Sequence, residues 1–208
     1  AHGTLMVLAG DGGVGKSTLA QELGARMTRG QAPPGGAPGD PRGVVILTAE
    51  EDTSAVVRPR MRLMGADLGR VTVLDPDEAA LTLPSGAERL EARCAAEGAG
   101  LLVVDTGPAF LDRGLKSNTE EAIRRFYAPL RAIAERQRLV VIVLSHLNKD
   151  VSRSAQHRIM GGVAWRNAAR QVLIVGAPPG ADPRETGERL VAVEKNNLGT
   201  HPHAVGFT

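Results

Sequence analysis

Aromatic residues are scarce in this chain. They make up 2% of its 208 residues, so leucine, valine, isoleucine and alanine must fill most of the core, which is typical of buried parallel strands. A single cysteine, Cys94, excludes an internal disulfide and favours a reducing, cytoplasmic environment. Its alanine-rich helical surroundings predict a buried structural thiol rather than a reactive one.

Long apolar runs and a strong excess of one charge are also missing. No run approaches the length of a membrane span, and no charged segment precedes a secretory hydrophobic stretch. The net charge of +2 and the pI near 9.0 permit nucleic-acid binding without requiring it. The length fits one α/β domain, residues 1–208. Because its first strand begins almost at once, we expect this domain to be part of a longer protein, with an absent initiator segment as the alternative.

A glycine-rich stretch stands near the start of the chain. Residues 10–17 read Gly-Asp-Gly-Gly-Val-Gly-Lys-Ser and match the pattern G-x-x-x-x-G-K-[ST]. This pattern predicts a phosphate-binding loop, because its glycines let successive N–H groups point into one hollow beside a helix N-terminus. A turn that matches by chance is the alternative. The strand predicted at 4–9 and the helix predicted at 17–27 argue against it.

The residues of this loop have distinct predicted tasks. Lys16 reaches the terminal phosphates, the Ser17 hydroxyl binds Mg²⁺, and Thr18 lies in the first turn of the helix. The candidate nucleotide-binding residues are Gly10, Asp11, Gly12, Gly13, Val14, Gly15, Lys16, Ser17 and Thr18.

Two further apolar runs end in carboxylates. The strand predicted at 44–48 is followed by Glu50 and Glu51, and the strand predicted at 101–104 ends in Asp105. Ligands of open α/β sheets bind at the carboxyl ends of the strands. Asp105 is therefore predicted to hold Mg²⁺, directly or through water, opposite Ser17.

A third apolar run, at 139–144, is followed by Ser145 and His146. A polar side chain at this strand end can contact a γ-phosphate and respond to its loss, which makes His146 a candidate sensor. A capping or turn histidine is the alternative.

The remaining pattern predicts alternating strands and helices first and hairpins later. The fold class is therefore α/β, with a mostly parallel central sheet flanked by helices and antiparallel strands at its C-terminal end. Pro129 is expected to kink or restart the helix that contains it. The other predicted helices are 53–64, 88–96, 119–136 and 161–170, and the other predicted strands are 71–74, 171–175, 190–193 and 203–207.

Taken in order, these motifs resemble the RecA-like P-loop ATPases, and within them the RepA-like branch, which includes a hexameric plasmid replicative helicase. The likeness spans nearly all of the chain. It rests on residues 10–17, 47–50, 104–105, 144–149, 167–170 and 194–197, and on the segment from 109 to 130.

The resemblance implies catalytic roles and an oligomer. Glu50 would polarise the attacking water, with Glu51 as the alternate and an exposed acidic turn as the structural alternative. Arg170, in the run Asn-Ala-Ala-Arg, would be an arginine finger reaching a neighbouring subunit, with Arg166 as its competitor. Lys195, after the strand predicted at 190–193, would be a second basic residue acting on the neighbour.

The resemblance also implies nucleic acid in a central channel, lined by the loops that follow two of the strands. Those loops carry the basic residues Arg113, Lys116, Lys149, Arg153 and Arg158. They would contact backbone phosphates, with salt-dependent binding and little sequence reading. Neither loop has an aromatic residue on which bases could stack, so a solvated loop is the alternative.

Three functions follow from these features. The first is a hexameric, ATP-hydrolysing motor that moves along single-stranded DNA during replication. The second is an ATP-dependent assembly or regulatory module without translocation, which the missing aromatic residues favour. The third, a small-molecule kinase, leaves Arg170 and Lys195 unexplained.

Overall fold

A computed structural model describes residues 3–74, 81–148, 163–197, 199 and 202–208. Within these ranges the chain forms eight strands, and their bounds are β1 Thr4–Gly10, β2 Gly43–Thr48, β3 Val71–Leu74, β4 Ala99–Asp105, β5 Val140–His146, β6 Gln171–Gly176, β7 Arg189–Asn196 and β8 Val205–Phe207. They make one sheet in the order β3-β2-β4-β5-β1-β6-β7-β8.

The sheet is parallel from β3 to β6, and β7 and β8 are antiparallel additions at one edge. This confirms the predicted α/β fold of a P-loop NTPase. Every residue of β2 and β4 is buried, because helices cover both faces of the parallel part and leave no polar side to those strands.

The helices lie on both sides of the sheet. Their bounds are α1 Lys16–Thr28, α2 Arg58–Leu63, α3 Ala87–Ala96, α4 Glu120–Gln137, α5 Val163–Ala168 and α6 Pro183–Thr186. The buried residues of α1 and α2 pack on one face of the sheet, and those of α3, α4 and α5 pack on the other. Among the described residues, no helix combines the length and the apolar character needed to cross a membrane.

The structure differs from three sequence-based boundaries. The helix expected at 53–64 begins as a π-helical turn, Thr53–Val57, before α2. The long helix α4 continues through Pro129 without restarting, because its buried apolar stripe, which includes Ile123 and Leu130, holds both halves against the core. Strand β7 extends to Asn196, so Lys195 lies within the strand instead of after it. Pairing with β6 holds that extension.

Four of the five aromatic residues are buried together on the face covered by α3, α4 and α5; they are Phe110, Phe126, Tyr127 and Trp165. The ring centroids of Phe126 and Trp165 are 5.3 Å apart. Cys94 is buried on the same face, and burial raises the pKa of its thiol to about 12. The thiol is therefore structural, as predicted.

Candidate functional site

The loop between β1 and α1 needs glycine for two different reasons. Gly13 and Gly15 have φ of +75° and +94°, a left-handed conformation that other residues rarely adopt. Gly10 has ordinary backbone angles, but a Cβ there would lie 2.5 Å from the carbonyl oxygen of Val175 on β6. The first constraint bends the loop, and the second lets β1 end close to its neighbour.

The inner side of this loop suits a phosphate group. Among the described residues, no backbone carbonyl accepts a hydrogen bond from the N–H of Gly12, Gly13 or Gly15. A Cβ built on any of the three would meet nothing within 4 Å. These N–H groups beside the N-terminus of α1 form the kind of hollow that binds anions, so the residues present fit a nucleotide.

Lys16 is buried beneath the loop, with 5% of its surface exposed. Its ammonium group donates to the carbonyl oxygens of Gly10 at 3.1 Å and Asp11 at 2.8 Å, and lies 3.3 Å from Nδ1 of His146. Burial lowers the pKa of Lys16, and the nearby carboxylates of Asp105, Glu50 and Asp11 oppose that change.

Ser17 and Asp105 meet across the carboxyl edge of the sheet. The Ser17 hydroxyl donates to the Asp105 carboxylate, which is 3% exposed. Burial, aided by the charges of Glu50 and Glu51, raises the pKa of Asp105 to about 6, while the Ser17 hydrogen bond and Lys16 oppose this shift. A hydroxyl and a carboxylate side by side fit Mg²⁺, which binds few protein carboxylates and keeps water and phosphate as its other ligands.

His146 joins Glu50 to this group. Strand β5 lies between β1 and β4, and His146 is paired with Gly10 at the strand end. Its Nε2 is 3.1 Å and 3.2 Å from the two carboxylate oxygens of Glu50. The hydroxyl of Thr106 also donates to Glu50, at 3.4 Å. Glu50 keeps 42% of its side chain exposed, just after the end of β2.

Glu51 has different surroundings from Glu50. Both of its carboxylate oxygens are 2.8 Å from Nη1 of Arg60, and Nε2 of the buried Gln21 donates to it at 2.8 Å. Arg60 also donates to Gln21 at 3.1 Å. Glu51 therefore ties β2 to α1 and α2. Of the two neighbouring carboxylates, only Glu50 joins the Lys16–His146 group.

The comparison with known families agrees with this geometry. A family model described as an AAA domain matches residues 1–152, which is more than half of the chain. The chain belongs to this AAA domain family. It is a P-loop ATPase, a protein that binds and hydrolyses nucleotides. A comparison with curated proteins gave no match.

In this ATPase the three basic residues expected to act on a neighbouring subunit lie away from the loop. The backbone N–H of Arg170 donates to the Leu5 carbonyl at 3.4 Å, near the start of β1. The register pairs Gly10 with Val175, so Arg170 is five residues, or about 17 Å, below the phosphate loop. The residues predicted to bind ATP thus lie at the carboxyl ends of the parallel strands, and Arg170 lies near their opposite ends.

The side chains of these three residues differ in how they are engaged. Arg166 makes an ion pair with Glu194, 2.8 Å from Nε. Lys195 donates to the carbonyls of residues 166, 167 and 169 at 3.3, 3.2 and 2.8 Å, at the C-terminal end of α5. Arg170 is exposed, and its side chain has no hydrogen bond or ion pair with another described residue.

The two predicted nucleic-acid residues in the described part of the chain are Arg113 and Lys116. Both are exposed in the loop after β4, at the same edge of the sheet as the phosphate loop. Trp165 anchors this loop by donating its indole N–H to the Ser117 carbonyl at 3.1 Å. The other predicted residues, Lys149, Arg153 and Arg158, lie outside the described residues.

Sequence reasoning missed a groove of about 580 Å³ beside the phosphate loop. It runs from Gly15 and Thr18 along the Leu19 and Leu23 face of α1 to Phe207 on β8. Phe207 is the aromatic residue that is not in the buried cluster. The position of Phe207 in the sequence does not indicate that it lines the groove, because only the antiparallel pairing of β8 with β7 brings Phe207 near α1.

Replacing Asp105 tests the electrostatics of the site. Its native pKa of about 6 exceeds the unfolded value of about 3.9, so the native state binds more protons between these values. This contribution to stability is therefore present at acid pH and is lost as the pH rises through 6. We expect Asp105→Asn to raise the free energy of unfolding at pH 7.5 by up to about 3 kcal/mol, and by less near pH 4.5.

The measurement is urea unfolding of both proteins at the two pH values in the presence of EDTA. Asp52→Asn is the matched control, because hydrogen bonds from the Ala55 N–H and the Ser54 hydroxyl lower the pKa of Asp52. Relative to the unaltered protein, Asp52→Asn should therefore lose stability as the pH rises. The difference in free energy of unfolding between Asp105→Asn and the unaltered protein should grow as the pH rises. A difference that does not grow contradicts the raised pKa of Asp105.

Proposed function

We propose that this ATPase hydrolyses Mg²⁺-bound ATP at the interfaces of a homo-oligomeric ring, of the RepA-like type and most simply a hexamer, and couples hydrolysis to movement along single-stranded DNA. The observation that carries the proposal is the gathering of Lys16, Asp105, Glu50 and His146 at one strand edge around the phosphate loop. The buried Cys94 thiol supports a cytoplasmic location.

The phosphates would lie in the loop. The N–H groups of Gly12 to Gly15 would donate to them, and Lys16 would offset their negative charge. Ser17 and Asp105 would hold Mg²⁺, which would supply further charge neutralisation for the phosphates. The nucleoside would extend into the groove beside α1, where Leu19, Leu23 and Phe207 offer an apolar wall.

Glu50 would act as the general base. A base must reach the water in line with the γ-phosphate, and Glu50 stands at the strand end with an exposed carboxylate. Glu51 is a poorer candidate, because taking a proton would cost its ion pair with Arg60. His146 would contact the γ-phosphate and sense its presence.

The position of Arg170 supports the proposed ring. A finger must approach the phosphoryl group as negative charge develops there. Within its own chain, Arg170 lies near the start of β1, at the opposite end of the strand from the phosphate loop. If it acts as a finger, Arg170 would therefore reach the phosphate loop of another copy of the chain. Arg170 is better placed than Arg166, which is paired with Glu194, or than Lys195, whose ammonium would have to leave three carbonyls.

Single-stranded DNA would bind through its phosphates. Arg113 and Lys116 are exposed beside the ATP edge, and the sequence places Lys149, Arg153 and Arg158 after the next strand along the chain. Charge neutralisation of this kind gives binding that weakens as salt is added.

A second function, an ATP-dependent assembly or regulatory module, is favoured by one observation. Four aromatic residues are buried and the fifth, Phe207, lies in the groove beside the loop. None is therefore left to stack on bases. The two functions differ in whether DNA changes the rate of hydrolysis.

Glu50→Gln tests the assignment of the base. We expect kcat to fall about 10²- to 10⁴-fold while ATP affinity is kept, since the substitution removes proton transfer and little else. Glu51→Gln is the matched control one residue away. It should lower stability through the lost Arg60 contact and reduce kcat far less. Equal losses of kcat in the two variants, measured by phosphate release, would contradict the assignment.

Mixing two inactive variants tests the shared site. Arg170→Ala should lower hydrolysis about 10³-fold or more while sparing ATP binding, and Lys16→Ala should lose binding. A mixed ring contains interfaces with an intact Lys16 from one subunit and an intact Arg170 from its neighbour. Activity should therefore return in part on mixing. A mixture as inactive as its components, with mixed assembly shown by differently tagged subunits, rules out a shared site.

A further inference from the structure

Three functional side chains form one hydrogen-bonded chain in this ATPase. The ammonium of Lys16 is 3.3 Å from Nδ1 of His146, and Nε2 of the same ring is 3.1 Å from Glu50. His146 therefore connects the residue expected to bind phosphate with the residue expected to activate water.

The Lys16 ammonium must give up one of its hydrogen bonds when it binds phosphate. An ammonium group has three N–H donors, and all three are used, by the carbonyls of Gly10 and Asp11 and by His146. A phosphate oxygen that takes one of them must displace an acceptor. The His146 contact is the longest of the three, and it is the only one made outside the loop itself.

The Glu50 end depends on a single proton of the imidazole ring. Because Nδ1 faces a donor, it must accept, which places the ring proton of the neutral histidine on Nε2. That N–H points at both carboxylate oxygens of Glu50, at 3.1 Å and 3.2 Å. One N–H cannot serve Glu50 and a γ-phosphate oxygen equally at the same time.

We propose that His146 is a positioning residue that restrains Glu50 until a γ-phosphate is present. Lys16 fixes the ring so that Nε2–H holds the carboxylate, and the Thr106 hydroxyl also donates to the Glu50 carboxylate. Binding of ATP draws Lys16 away, and the γ-phosphate takes the Nε2–H bond, which releases Glu50 to orient water. ADP also draws Lys16 from Nδ1, but it has no γ-phosphate to take the Nε2–H bond, so that hydrogen bond still holds Glu50. The inference rests on the proposed ATP hydrolysis.

The first test is the affinity for ADP, measured by calorimetry. His146→Phe removes the competitor for Lys16, so ADP should bind about 2- to 10-fold more tightly, which corresponds to one net hydrogen bond. The same variant should hydrolyse ATP more slowly, because the γ-phosphate loses a donor. Thr106→Val is the matched control: it removes the other donor to Glu50, does not touch Lys16, and should leave ADP affinity within about twofold.

Weaker or unchanged ADP binding by His146→Phe would overturn the proposal, since a merely structural role predicts no gain in affinity. His146→Ala gives the same comparison if the larger ring disturbs folding. The proposed function itself fails if the unaltered protein binds neither ATP nor ADP. It also fails if Lys16→Ala binds both nucleotides as tightly as the unaltered protein does.

The second test observes the ring directly by NMR of protein labelled with ¹⁵N-histidine, with His146→Ala to assign the signal. Without nucleotide, the signal should report a proton on Nε2, and Glu50→Gln should shift it. ADP should leave the Nε2–H signal near its starting position, and a non-hydrolysable ATP analogue should move it. A signal that ignores Glu50→Gln, or that moves equally with both nucleotides, overturns the proposal.

Discussion

The burial of one ammonium group organises this site. Lys16 is 5% exposed, and a charge removed from water to that extent must be compensated by polar partners. Its partners are two carbonyls of its own loop and the ring of His146. The loop can supply those carbonyls because Gly13 and Gly15 adopt left-handed conformations that other residues rarely adopt. The glycine pattern and the lysine are thus parts of one electrostatic arrangement.

The strand order extends this arrangement to catalysis. Because β5 lies between β1 and β4, His146 stands between the phosphate loop and the carboxylates at the ends of β2 and β4. Asp105 and Glu50 are close enough for their charges to influence one another, and Asp105 carries the cost as a raised pKa. Mg²⁺ at this edge would relieve that cost, which agrees with the proposed binding of a Mg²⁺-bound nucleotide.

Local patterns predicted the strands, most helices, the phosphate loop and the meeting of Ser17 with Asp105. Each of these depends on residue order over short distances and on parallel strands ending at one edge. The chain Lys16–His146–Glu50 was not predicted, although all three residues were singled out. Their contact depends on which strand lies between which, and that order is set by packing of the whole sheet.

Other features could not be predicted from the sequence either, because they depend on contacts between distant segments. The separate tasks of Glu50 and Glu51 follow from Arg60 and Gln21, which belong to different helices. The continuity of α4 through Pro129 is decided by burial rather than by local propensity. Lys195 was expected after a short strand, as a residue acting on the neighbouring subunit, but β7 continues through it and its ammonium donates to carbonyls at the end of α5. In each case a distant segment determined the role.

The central claim is that this loop hydrolyses ATP in a reaction coupled to nucleic acid. Its most direct test is the steady-state rate of ATP hydrolysis with and without single-stranded DNA, at low and at moderate salt, with Lys16→Ala as the blank. The account predicts hydrolysis well above the blank, and stimulation by DNA that fades as salt is added. A rate that DNA leaves unchanged at both salt concentrations would contradict the motor and favour the assembly or regulatory module.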